Sequence, residues 1–253
     1  MARKEDVITV DYGRLKSFWQ PRTDRIKEMY VLRRLDDTTK KKDFESIISN
    51  DPATFLRLAT HLISFIPPVF RIPLTDDELQ RGQSGKCERA LVSLWRERDT
   101  LERKRGRQSW RRQFADLTLT TGWYSVLVTV VKGDDGKPKF LAEIWNPTEV
   151  FQEWDDEGLC TLVHAYPVSY KEAVKKAAQY EVDYKKKERE TSGSVAIIDW
   201  WSRRDGTLWH GLKVGMTTVN PPEESPLKTI PVLTGPVLGE ASWGGYDFAD
   251  MDW

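Results

Sequence analysis

Apolar residues recur along this chain in two rhythms, helical in the first half and of strand length from residue 117 onward. Ser49-Asn50-Asp51-Pro52 is a helix start, because a side-chain oxygen can accept an orphan N–H and proline at the first helical position gives up a donor that has no partner there. Phe55, Leu58, Ala59, Leu62, Ile63 and Ile66 follow at helical spacing, and Pro67-Pro68 ends the pattern. Thr75-Asp76-Asp77-Glu78 fits a capping box before a second helix. Its apolar face reads Cys87, Ala90, Leu91, Leu94, Trp95 and Leu101, while Arg89, Arg96, Glu97, Asp99, Glu102, Arg103, Lys104 and Arg105 fill the opposite, solvated side. Gly106 permits a break, after which Trp110, Phe114 and Leu117 continue as a shorter helix. Ahead of all this, residues 14–43 are polar and mixed in charge, with a short helix over 22–35, and read as an arm lying on something else.

Residues 117–162 hold three runs dense in Val, Ile, Phe, Trp and Thr, separated by Gly, Asp, Pro and Asn clusters that supply turn geometry. This predicts an antiparallel meander as the core sheet. Ser169-Tyr170-Lys171-Glu172 opens another helix with Ala173, Val174, Ala177, Ala178 and Tyr180 as its buried stripe, and the charged residues 183–190 with the Thr-Ser-Gly-Ser after them form a solvated loop. A second β block spans 195–201 and 207–213 around an Arg203-Arg204-Asp205-Gly206 hairpin turn. Asn220-Pro221-Pro222-Glu223-Glu224-Ser225-Pro226 reads as a loop unfit for a central strand, and 230–233 as a further strand. The fold class is therefore α+β, with N-terminal helices packed on an antiparallel β-meander and a second small β block toward the C-terminus. Three regions result: an arm at 1–43, a domain at 44–240 and, at 241–253, an acidic, aromatic tail or the start of a further region.

Composition narrows the roles open to such a fold. With 253 residues, 39% hydrophobic and 31% charged, the chain can bury a substantial core. Lysine plus arginine equal aspartate plus glutamate at 39 each, which argues against a protein that coats nucleic acid indiscriminately. No apolar run reaches a membrane span and the N-terminus has no apolar core of a signal peptide, so neither secretion by that route nor a membrane crossing is expected. Cys87 and Cys160 form no C-x-x-C pair, which suits a reducing compartment, and His61, His164 and His210 are too scattered for zinc spacing.

Candidate chemistry is sparse. Gly82-Gln83-Ser84-Gly85-Lys86 resembles part of a phosphate loop, yet two residues separate its glycines where four are needed, and Cys87 follows the lysine, so it reads as a glycine-tolerant helix start or kink. The densest basic patch is Arg96, Arg98, Arg103, Lys104, Arg105, Arg107, Arg111 and Arg112 against Glu97, Asp99 and Glu102; eight positive charges less three negative leave plus five. Guanidinium groups on one helical face could contact phosphates or a neighbouring subunit's carboxylates, and the plainer alternative is a solvated face. Glu143, Glu149, Glu153, Asp155, Asp156 and Glu157 lie near Trp145 and Trp154 in a chain with eleven tryptophans, the ingredients of a carbohydrate-binding or glycoside-cleaving groove. Asp155-Asp156-Glu157-Gly158 is also simply a turn. No Gly-x-Ser-x-Gly elbow places a nucleophile, and no residue is assigned a catalytic role.

The succession of motifs adds a resemblance. Asn50-Asp51-Pro52 and a long basic helix precede Thr121-Gly122-Trp123-Tyr124-Ser125-Val126-Leu127-Val128, a turn, and Ile144-Trp145-Asn146-Pro147-Thr148-Glu149-Val150. Trp154-Asp155-Asp156-Glu157-Gly158-Leu159, Ile198-Asp199-Trp200-Trp201 and Ile230-Pro231-Val232-Leu233-Thr234-Gly235-Pro236 follow. Over about residues 45–240 this resembles the N-terminal wing region of tailed-bacteriophage portal proteins. The resemblance implies a structural virion protein and no enzyme: a ring of about twelve subunits at a capsid vertex, assembled in the host cytoplasm, that serves as the conduit for packaging and ejecting double-stranded DNA. It further implies the major capsid protein, the terminase motor and neck proteins as partners, with no cofactor and no metal. Portal proteins also carry stem helices, a clip and a crown, which are not read in this sequence. The eight basic residues remain candidates for subunit or DNA contacts, and a tryptophan-rich carbohydrate-binding or glycoside-hydrolase-like domain is the alternative reading.

Overall fold

The structure, a computed structural model, describes residues 6–34, 51–66, 69, 78–132, 136, 138–185 and 193–237. Among the described residues, six α-helices and eight strands in two antiparallel sheets make an α+β fold, and the chain divides into two compact units that each draw on separate stretches of sequence. The first unit comprises Met1–Arg25, Trp145–Val232 and Glu240–Trp253, and the second Ile26–Ile144 and Leu233–Gly239.

The first unit is built on a five-stranded sheet of β3 (Val150–Asp155), β4 (Gly158–Ser169), β5 (Ser194–Arg204), β6 (Thr207–Val214) and β7 (Thr217–Glu224), paired in that order. The hairpin expected at Arg203-Arg204-Asp205-Gly206 forms, with φ of 50° at Asp205 and 75° at Gly206, the two positive values that a tight two-residue turn demands. Side chains alternate across the sheet, and each face has its own cover. On one face Val195, Ile197, Leu212, Val214 and Val219 pack against Ala173 and Ala177 of α6 (Tyr170–Ala178). The expected capping box on α6 is present: the Ser169 hydroxyl accepts from the Glu172 N–H, while the Glu172 carboxylate accepts from the Ser169 N–H. Of its predicted stripe, Ala178 is exposed.

The opposite face is covered by α1 (Val7–Phe18), the N-terminal segment read in sequence as a polar arm. Ile8 is fully buried against Gly211, Asp11 accepts a 2.9 Å hydrogen bond from Trp200 Nε1, and Lys213 Nζ donates to Asp6 Oδ2 at 2.6 Å. Trp19, 1% exposed, donates Nε1–H to the Gln152 carbonyl at 2.7 Å, and the Arg22 guanidinium lies 4.4 Å over its ring and donates to the Pro147 and Val150 carbonyls. Arg22 belongs to α2 (Gln20–Arg34), which agrees with the helix expected over 22–35 apart from an earlier start.

The second unit holds α3 (Asp51–Phe65), α4 (Glu78–Lys104), α5 (Trp110–Thr121) and a three-stranded sheet ordered β2 (Pro138–Ile144), β1 (Trp123–Lys132), β8 (Val232–Pro236). Its core stacks Trp110 on Phe114, with Trp95 edge-on to Trp110 and with Val126 and Ala142 beneath; Trp110 Nε1 donates to the Ala142 carbonyl at 2.9 Å. Thr234 ties β8 to β1 by donating to the Tyr124 carbonyl and bonding Ser125 at 2.7 Å.

Several expectations are corrected. The run 117–162 is not one meander, because the chain leaves the first sheet at Trp145, turns through the short 3-10 helix Pro147–Glu149 with Asn146 as its cap, and enters the other sheet as β3. The second β block is consequently the larger one, since β3 and β4 join it. Residues 117–121 end α5 rather than begin a strand; the Thr118, Thr120 and Thr121 hydroxyls donate back into the helix, and Gly122 at φ 66° closes it. The proline segment after Asn220 is strand, not loop, but on the edge strand β7, where two missing N–H groups cost no ladder bond to a further neighbour. Gly82 to Lys86 lie inside α4, so no phosphate loop forms. The helix-start residues 49–50 and the capping-box residues 75–77 lie outside the described residues, as do 35–43, 67–68, residues 186–192 of the expected solvated loop, and 238–253.

The approach of α1 to β6 yields a prediction. A Cβ at Gly211 would sit 2.8 Å from Ile8 Cδ1 and 3.4 Å from the Asn220 carbonyl oxygen. Gly211→Ala is expected to destabilise the first unit by about 1–3 kcal/mol in urea denaturation, and Ile8→Val in the same chain to recover part of that loss. A loss that the second substitution leaves unrelieved would place the clash elsewhere.

Candidate functional site

The eight basic residues gather where α4 ends and α5 begins. Gly106, at φ 72°, reverses the chain after Lys104; the Gly106 N–H bonds the Arg103 carbonyl and the Arg107 N–H bonds the Glu102 carbonyl. Ser109 then caps α5 by accepting from the Arg112 N–H. This reversal folds the polar side of α4 inward, against the amphipathic expectation. Glu102 is only 3% exposed and receives Arg98 at 3.3 Å, Arg105 at 3.1 Å, Arg107 at 3.8 Å and the Gln113 amide at 3.3 Å. Asp99, also buried, accepts from the Arg111 guanidinium at 3.0 Å and from its backbone N–H.

The basic patch therefore divides. Arg98, Arg105, Arg107 and Arg111 are engaged by two buried carboxylates and serve to hold the α4–α5 corner. Arg96, Arg103, Lys104 and Arg112 are exposed and make no ion pair with another described residue. On the apolar side of α4, Cys87, Ala90 and Leu91 are exposed, and only Leu94, Trp95 and Leu101 are drawn inward.

Beside this corner stands α3, whose predicted stripe forms but faces outward. Phe55 is 74% exposed and Ile66 66%, and Leu58, Leu62, Ile63 and Phe65 are exposed with them, while only Ala53 and Thr60 are buried. The Ile66 carbonyl accepts from Arg111 Nη1 at 3.2 Å, so the apolar stripe runs directly into the basic corner.

The acidic and tryptophan-rich candidates separate. Glu143 is exposed on β2 in the second unit, and the others belong to the first. Glu153 forms a forked pair with Arg14 at 2.6 and 2.7 Å; that hydrogen bonding outweighs burial and holds the Glu153 carboxyl below its ordinary value. Burial pulls Asp155 upward, but Arg203 and the Glu157 N–H outweigh it and keep its carboxyl low. Burial raises the Glu149 carboxyl. Trp145 is buried, stacked 3.9 Å from His164, whereas Trp154 is 41% exposed and lines a cavity with Arg14, Phe18 and Trp19. The sequence offered no means of bringing residues 14–19 to β3, so this cavity was not foreseen. Cys160 and Cys87 are free thiols, and among the described residues no group of three His, Cys, Asp or Glu is placed to hold a metal ion.

Two groups here make measurable predictions. Glu102→Ala leaves three guanidinium groups facing an emptied buried site and is expected to cost about 3–5 kcal/mol in denaturant unfolding, against about 0.5 kcal/mol or less for Arg103→Ala; equal effects would contradict this division. His164 is stacked between Trp145 and Tyr166, opposite Asp199, which itself bonds His210 at 2.7 Å. Burial lowers the His164 pKa to about 4 despite Asp199, which pulls it upward. Above the unfolded value of about 6.5 the ring is neutral in both states and the native state keeps its full stability; as pH falls from there toward 4 the unfolded chain takes up the proton first, removing at most about 3 kcal/mol. His164→Phe, which preserves the stack, is expected to flatten that loss, and an unchanged slope between pH 6.5 and 4 would show that His164 is not its source.

Compared with known proteins, the chain matches no protein-family model and no curated protein sequence.

Proposed function

We propose that this chain is the wing portion of a subunit of a phage portal ring, a structural protein of the virion vertex through which the genome enters and leaves. The observation that carries the reading is the outward apolar stripe of α3 beside four cations that make no ion pair with another described residue. A contiguous exposed apolar surface of this kind marks a place where another macromolecule docks, and in a closed ring the neighbouring subunit covers it. The order of elements supports the same reading: helices, then the Trp123–Lys132 strand, the Asn146-Pro147 turn and the acidic turn follow one another as in the resemblance.

In this role the chain works by assembly rather than by chemistry. Capsid protein, terminase and neck proteins are its partners at the vertex. Arg96, Arg103, Lys104 and Arg112 meet a neighbour's carboxylates or the passing DNA backbone, with no base read. A net charge of zero suits a conduit that must not hold its cargo, because each phosphate neutralised adds to affinity.

Negative-stain electron microscopy with native mass, on this chain and on the longest product of its gene, tests the proposal. A ring of about twelve subunits is expected, and Leu58→Glu with Leu62→Glu is expected to leave folded monomers by circular dichroism. A longer product that stays monomeric at high concentration overturns it.

A further inference from the structure

Between α1 and β3, the first unit holds a cavity of about 300 Å³, lined by Arg14, Leu15, Phe18 and Trp19 on one side and Gln152, Glu153 and Trp154 on the other. Trp19 is buried at its floor; the Phe18 ring stands edge-on to it at 5.2 Å and the Trp154 ring at 6.0 Å. Phe18 and Trp154 are respectively 48% and 41% exposed, so each offers a free part of its ring. Exposed aromatic rings on both sides of one depression are costly to leave wet and inexpensive to cover with a ligand that has apolar faces.

The polar rim defines the ligand further. Arg14 and Glu153 neutralise one another through two hydrogen bonds, and the next charge, Asp11 at 3.7 Å from Arg14, is itself bonded to Arg204 and to Trp200 Nε1. An ionic ligand would have to break the forked pair and leave one of its members exposed to like charge. A neutral ligand need not, because each Glu153 oxygen still has lone-pair capacity, and Arg14 retains Nε–H and further N–H groups beyond the two used. Hydroxyl groups can bond these positions while the pair stays intact. The combination of C–H faces for the rings and hydroxyl edges for the rim describes a sugar ring. A cavity near the lower end of ligand-pocket volumes, about 300 Å³ upward, suits one ring rather than a long chain.

We propose that this cavity is a binding site for a neutral pyranoside, with one sugar face against Trp154 and Phe18 and its hydroxyls bonded to the Arg14–Glu153 pair. The site lies wholly within the first unit and is independent of the ring proposed above. It is proposed to bind and not to cleave, since Glu153 is the one carboxylate among its lining residues and glycoside hydrolysis takes two.

Saturation-transfer NMR on the whole chain tests this, with methyl α-glucopyranoside, methyl α-mannopyranoside, methyl β-galactopyranoside and N-acetylglucosamine as probes, and choline as the cationic competitor of aromatic cages. Transfer to the ring protons of at least one pyranoside is expected, unaffected by choline. Trp154→Ala and Phe18→Ala, both of half-exposed residues, are each expected to weaken it by about tenfold or more, with the fold checked by circular dichroism and melting temperature. Glu153→Gln, which abolishes the charged pair, is expected to weaken binding while leaving the aromatic surfaces in place. Transfer to none of the four pyranosides overturns the proposal, as does transfer that survives undiminished in folded Trp154→Ala and Phe18→Ala. Saturation of choline alone would assign the cavity to a cation instead.

Discussion

A five-stranded sheet with apolar side chains on both faces cannot stand in water with either face open, and this requirement governs the first unit. One cover is local, since α6 follows β4 directly and brings Ala173 and Ala177 down on Val195, Ile197 and Val214. The other arrives from more than a hundred residues away, because α1 precedes β3 through β6 in the chain and lies on them in the fold. Closing so long a loop costs only slightly more than closing a short one, as the penalty grows with the logarithm of length. What must be specific is the seating, and Trp19, Asp11 and Asp6 supply it through hydrogen bonds to the Gln152 carbonyl, Trp200 and Lys213.

The helices of the second unit are arranged in the opposite sense. Two carboxylates and the Arg98 guanidinium are buried at the α4–α5 corner, with Arg105, Arg107 and Arg111 reaching them from nearer the surface, while the most continuous apolar stripe faces out on α3. Removing an ion cluster from water is expensive, and it is tolerated where several hydrogen bonds satisfy each group at once, as at Glu102. Such a cluster fixes geometry more than it adds stability. It sets the angle at which α5 leaves α4 and thereby holds Trp110 over Ala142.

Local chemistry was legible in the sequence and long-range partnership was not. The capping box at Ser169, the Asp205-Gly206 turn and the break at Gly106 were readable because each depends on a few neighbouring residues. The α3 stripe was readable as a pattern, but periodicity shows that a face is apolar without showing what covers it. In α1 the apolar residues lie all round, with Ile8 and Leu15 buried while Val7, Val10 and Phe18 are exposed, so no stripe announced a helix. The division of the β-rich run between two sheets turns on Asn146-Pro147, and a turn of that composition fits either a continued meander or a departure from it. The candidate sites follow the same rule: eight cations were visible, but not that two acids would claim four of them, and the Phe18–Trp154 cavity requires residues far apart in sequence.

Pro221 and Pro222 on β7 carry a consequence of another kind. An outermost strand normally presents a row of free N–H and C=O groups, an invitation to any other extended chain. On β7 two consecutive positions have no N–H to offer, and the exposed side chains beyond them, Glu223 and Glu224, are both acidic. A foreign strand approaching there finds an interrupted ladder and like-signed charge if it is acidic itself. The five-stranded sheet is therefore poorly suited to lengthening across that border, and any growth of it by backbone pairing is left to the opposite edge at β3.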